Sequence, residues 1–268
     1  MDTQAPKRIP AIIEGLFTTV AIGVLAYITA AIVHEAGGHG AACVALGGHL
    51  VSLSSLFPQC TLQRPIIAIA GPLANILCGL VAAAFAGRFA RHEALRHVQL
   101  YCWLVAAYNL FFGTGYLVFS GITGHGDWIF LFGIAGVGTM DRVVLIVAGI
   151  AALAASMRVL MATRPRLMHD NEPLAQHDLT LTIYVAASIV SVAAAALDPA
   201  GLRAVLALPP AAPFAGLGLL WLRHVALRRA FAPRALAIGV SCHRGWLVAG
   251  TIGVALFIAV LGPGIRFT

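Results

Sequence analysis

Seven stretches of this chain are long and apolar enough, or nearly so, to cross a lipid bilayer as helices, and that leaves few folds open. A hydrocarbon core about 30 Å thick takes about 20 apolar residues of helix. The stretches run from about Ile12 through the His34 region towards Ala45, then Pro65–Gly87, His97–Phe119, Val143–Thr163, Leu179–Leu197, Ala204–Leu222 and Trp246–Leu261. The sixth is interrupted by Pro209, Pro210 and Pro213, which kink or break a helix. Sixty per cent of the 268 residues are hydrophobic and only 10% are charged, against about 25% charged in a soluble domain. A water-soluble globule needs a polar exterior that this composition does not supply. The expected fold is all-α, a polytopic transmembrane bundle of six or seven spans in a single membrane domain, 1–268.

The net charge of +7 is carried almost wholly by Arg. These residues lie in short loops between apolar runs, where membrane topology places them, so nucleic acid is not an expected partner. With seven spans and the N-terminus inside, twelve Lys and Arg fall on one side. They include Lys7, Arg8, Arg88, Arg91, Arg96, Arg164, Arg166 and Arg244. The other side receives Arg64, Arg142, Arg203 and Arg266. The positive-inside rule then puts the N-terminus in the cytoplasm. The first apolar stretch is too long for a cleavable signal peptide. An Ala- and Arg-rich chain with one Lys fits a multi-pass protein of the inner membrane of a high-GC bacterium. The five Cys form no C-x-x-C pair and read as small buried hydrophobes rather than a disulfide framework or a thiolate site.

Ionisable side chains inside a span are costly and usually mark function. The run Val33-His34-Glu35-Ala36-Gly37-Gly38-His39-Gly40 puts two His and a Glu in apolar surroundings. Zinc takes His nitrogen and carboxylate oxygen and keeps a position open for water in catalytic sites. A neighbouring Glu that is not a ligand can take the proton from that water. His34 and His39 are thus the candidate ligands and Glu35 the candidate base. Zincins space their two His four apart, H-E-x-x-H; here the separation is five. On a regular helix five residues set the rings about 140° apart, against about 40° for four. A π-helical insertion restores a shared face, and Gly37, Gly38 and Gly40 permit it or an outright unwinding. Soluble zinc dipeptidyl peptidases carry a similar H-E-x-x-G-H pattern, a precedent for the spacing alone. Glu14 reads as an interfacial residue.

Two further signals follow. Gly71, Asn75, Gly79, Ala83 and Gly87 form a small-residue stripe on the second span, which invites close helix approach. Asn75 within it needs a hydrogen-bond partner in the bundle. After the third span comes Gly124-His125-Gly126-Asp127-Trp128. Asp127 or its rival His125 could be the third ligand, and Trp128 reads as an aromatic anchor at the membrane surface. The segment from Gly47 to Phe57 reads as a turn followed by a re-entrant extended piece.

In this order, the His-Glu motif, Ala70-Gly71-Pro72-Leu73-Ala74-Asn75 and Asp127 resemble the site-2 protease family of intramembrane zinc metalloproteases, which pairs H-E-x-x-H with G-P-x-x-N and a later Asp. The resemblance covers roughly Ile12 to Trp128. It implies a metalloprotease-like core over 12–138, with 139–268 as additional helices. It also implies Zn²⁺ held by His34, His39 and Asp127, Glu35 activating a zinc-bound water, and Asn75 and Asn109 near the substrate. The substrate would be a membrane-spanning protein segment in the bilayer. In that family the metal lies towards the cytoplasm, opposite to what the Arg count gives here. Two other readings stay open: a non-catalytic relative that regulates or chaperones membrane proteins, and a membrane transporter. The sequence does not fix the oligomeric state.

Overall fold

The computed structural model describes residues 5–89, 92–132, 137–164, 180–199, 211–229 and 240–267. Helix α1 (Ala5–Ile32) runs without a break into a π-helical segment (Val33–Gly40) and the short α2 (Ala41–Ala45). Strands β1 (Leu50–Leu53) and β2 (Pro58–Cys60) follow, then α3 (Pro65–Phe89) and α4 (Arg96–Thr123). A 3₁₀ segment (Asp127–Phe132) leads to α5 (Thr139–Ala162), α6 (Thr180–Ala196), α7 (Ala211–Arg229) and α8 (Arg244–Leu256). A second π-helical segment (Phe257–Leu261) extends α8, and β3 (Ile265–Arg266) closes the described chain. Among the described residues, five helices are long and apolar enough to cross a membrane: Ile13–Ala45, Pro65–Phe89, Arg96–Thr123, Thr139–Ala162 and Arg244–Leu261. Thr180–Ala196 is apolar but shorter. The expected span from Ala204 has its first part, to Pro210, outside the described residues, and of the polar stretch Arg164 to His177, which reads as a loop in the sequence, only Arg164 is described.

Helix α4 is the hub. Trp103, Tyr108 and Phe111 are fully buried on it, and it packs against α1, α3, α5 and α7, most extensively against α3. The outer faces of α3 (Leu77, Val81, Phe85) and α5 (Val144, Val147, Ile150) are apolar and exposed, as a lipid-facing surface is and a water-facing one of that size is not. The extended piece after α2 is a strand of a three-stranded antiparallel sheet, order β2–β1–β3, with Leu53 opposite both Pro58 and Ile265. Gly47, at φ +81°, makes the turn into it.

One feature departs from expectation. Cys43 of α2 and Cys60 of β2 form a disulfide, with Cα atoms 6.0 Å apart, where the sequence suggested separate buried thiols. The bond closes a 17-residue separation; in the chain-entropy account such a loop contributes about 3 kcal/mol. Cys78, Cys102 and Cys242 are free.

The small-residue stripe of α3 does what its composition suggests. A Cβ on Gly79 would meet the Leu110 side chain, and one on Gly38 of the π-helical segment would run into the backbone of Gly71 and stand 2.7 Å from Ala70 O. Gly37, one residue earlier, has nothing nearer than Ile32 O at 3.9 Å. Gly38→Ala therefore has to push two backbones apart and is expected to cost about 1–3 kcal/mol. It should lower the melting temperature in detergent, while Gly37→Ala should leave that temperature close to wild type.

Candidate metal centre

A π-helix bonds residue i to i+5, so side chains five apart share a face. That is how His34 and His39, which a regular helix would splay, come to lie with their Nε2 atoms 3.1 Å apart. Asp127 arrives from the other side. Helix α4 ends at Gly124, which takes a left-handed conformation (φ +71°), and Gly126 (φ +100°) completes the turn. The indole of Trp128 donates to Gly113 O at 3.0 Å and pins the segment to α4. Trp128 is thus buried inside the bundle, not at the membrane surface as its position after the third span suggested. Asp127 Oδ2 stands 3.1 Å from His34 Nε2 and 3.5 Å from His39 Nε2.

The far nitrogen of each ring is fixed. His34 Nδ1–H donates to Asn75 Oδ1 at 2.5 Å, and His39 Nδ1–H donates to Ile67 O at 2.7 Å. Asn75 is itself oriented, because its Nδ2 donates to Ala30 O (3.0 Å) and to Asn109 Oδ1 (2.7 Å). Asn109 Nδ2 donates in turn to Val105 O at 2.8 Å. With Nδ1 protonated on both neutral rings, both Nε2 atoms present lone pairs to the same point, beside a carboxylate. Three electron-rich atoms that converge in this way repel one another and attract a cation.

Glu35 is buried beside them, and the ligating atoms of His34, Glu35 and His39 lie within 4.8 Å of one another, so this group could hold a metal ion. Glu35 Oε2 has no hydrogen-bond partner among the described residues, and the side chain borders a cavity of about 230 Å³ together with Asp127, Ser55, Phe57 and Tyr116. A wider cleft of about 800 Å³ adjoins it, bordered by His39, Asp127 and strand β2. Phe112 stacks on the His34 ring, centroids 4.3 Å apart, and holds that ring's plane.

Of the residues singled out in the sequence, the structure brings His34, Glu35, His39 and Asp127 together. His125 is exposed, with its Nδ1 donating to Thr123 O at 2.9 Å, and takes no part. Asn75 and Asn109 are fully buried behind His34, as a relay that orients the imidazole. Glu14 is exposed. Phe112 and Tyr116 were not singled out in the sequence; on a helix of mostly apolar residues, nothing in their spacing distinguishes them. No protein-family model matches the chain, nor does any curated protein or solved structure.

Partners that orient a ligating His typically contribute 10–100-fold to metal affinity. Asn75→Ala leaves His34 Nδ1 without an acceptor and is expected to weaken metal binding by about that factor, measured by chelator competition.

Proposed function

We propose that this chain is an intramembrane zinc metalloprotease of the site-2 protease kind, hydrolysing peptide bonds in or near membrane-spanning segments. The observation that carries the proposal is the convergence of His34 Nε2, His39 Nε2 and Asp127 Oδ2, 3.1–3.5 Å apart, with an unpartnered Glu35 oxygen at the same cavity. Atoms bound at about 2.0–2.1 Å to one tetrahedral ion stand about 3.3 Å apart, so the spacing fits zinc. The donor set fits too: imidazole suits zinc, and two imidazoles with a carboxylate leave a position open.

Zinc held there would supply Lewis acidity towards a scissile carbonyl and make a nearby water acidic. The chain's own residues do the rest. Glu35 takes the proton of the attacking water and returns it to the leaving amine, as general base and then general acid. Asn75 and the Ile67 carbonyl keep both imidazoles in the tautomer that leaves Nε2 free. Ser55 and Phe57, next to the sheet, and Tyr116 of α4 border the space in which an unwound stretch of substrate would lie.

The test has two parts. Elemental analysis of chelator-free, detergent-purified protein should find about one zinc per chain, lost in His34→Ala, His39→Ala and Asp127→Ala. Glu35→Gln should keep the metal and lose about 10²–10⁴-fold in peptide hydrolysis. Wild type without zinc sinks the enzyme proposal. A cellular phenotype that survives Glu35→Gln favours a non-catalytic relative.

A further inference from the structure

The two ends of the bundle are chemically different. At one end Val240 N–H and His243 N–H donate to Thr19 Oγ1 and Thr18 Oγ1, both at 3.1 Å, and His97 Nε2 meets Ser241 O at 3.0 Å. The beginning of the Ile13–Ala45 span, the α3–α4 connection and the start of α8 therefore lie together there. At the other end β3 pairs with β1, Ser55 N–H donates to Leu261 O at 2.7 Å, and Asp127 meets His34 and His39. The ends of α1, α4 and α8 and the start of α3 gather at that end.

Basic residues divide unevenly between the two. Lys7, Arg8, Arg88, Arg96, Arg164 and Arg244 belong to the first end, six against Arg64, Arg142 and Arg266 at the metal-site end, counted among the described residues outside α7 with Arg158 left inside α5. An excess of Lys and Arg in short loops marks the cytoplasmic side. A second, independent observation agrees. The Cys43–Cys60 disulfide sits at the metal-site end, joining α2, just after His39, to β2, and disulfides persist on the oxidising side of a membrane. The exposed free thiol, Cys242, is at the basic end. Depth fits as well. Ile13–Ala45 has 33 residues, about 50 Å of helix against a hydrocarbon core of about 30 Å. His39, six residues from the end of that helix, lies towards one end of the span rather than at its middle.

We infer that the metal centre opens to the non-cytoplasmic, oxidising side of the membrane, and that Cys43–Cys60 is formed there and ties the ligand-bearing helix to the strand bordering the cleft. Resting on the protease reading for its consequence, this assigns the substrate class: membrane-anchored segments with their susceptible bond near the non-cytoplasmic surface. It is opposite to the orientation that the site-2 protease resemblance implies.

The test is thiol labelling of the full chain in the inner membrane of a bacterial host, with a membrane-impermeant maleimide. Gln63→Cys, at an exposed position beside β2, should be labelled in spheroplasts, and Cys242 only after lysis. Mass spectrometry of the otherwise unaltered chain, alkylated before reduction, should recover Cys43 and Cys60 as one linked peptide pair. Labelling of Gln63→Cys only after lysis, labelling of Cys242 in intact spheroplasts, or free thiols at Cys43 and Cys60 would overturn the inference. None of these readouts needs bound metal or hydrolysis, so failure of the protease proposal leaves them intact and their failure leaves that proposal intact.

Discussion

A neutral imidazole in an apolar bundle has one nitrogen that must donate and one that must accept, and neither can turn to water. The rest of the site depends on how that requirement is met twice, five residues apart. His34 gives its Nδ1 proton to Asn75 and His39 gives its own to the Ile67 carbonyl; both acceptors belong to α3. The π-helical segment must therefore lie almost against α3, and it does so because Gly38 packs on the Gly71 backbone and Gly71 leaves room for the His39 ring. Any larger residue at either position would separate the rings from their acceptors. The same contact fixes Asn75, whose remaining hydrogens go to Ala30 and Asn109, so one close approach orders α1, α3 and α4 together.

Five of the apolar runs were legible as helices long enough to cross a membrane, because bilayer thickness sets that length, whereas α7 runs on to Arg229, past the expected Leu222. The five-residue His spacing pointed to a π-helical insertion or an unwinding at the glycines, and the segment Val33–Gly40 is π-helical. What the sequence left open was settled by backbone. His125 and Asp127 are two residues apart on a turn, and only the left-handed glycines between and before them decide which points inward. Asn75 was recognisable as a buried amide needing a partner, but not as the orienter of His34, because that bond spans 41 residues. The Cys43–Cys60 link and the pairing of β3 with β1 were invisible for the same reason. They join segments whose proximity is created by the fold and carry no local pattern.

The position of the centre also bears on how a peptide bond could be presented to it. A helix offers no free backbone amide, and unwinding it in hydrocarbon leaves polar groups unsatisfied at several kcal/mol each. At the membrane boundary the same unwinding costs less, because water and the polar sheet edge can take those hydrogen bonds. Here the cavity holding Glu35 and Asp127 lies beneath the β1–β2 segment, with Ser55 and Phe57 on its wall, rather than in the middle of the bundle. The disulfide adds rigidity where it matters for this arrangement: Cys43 is four residues beyond His39, and Cys60 ends the strand bordering the adjoining cleft. The bond ties helix to strand, so in the proposed reaction a segment seated against the strand would be held close to the imidazoles. In the proposed reaction that link would keep the cleft wall aligned with the imidazoles, an alignment that general-base attack by Glu35 would need.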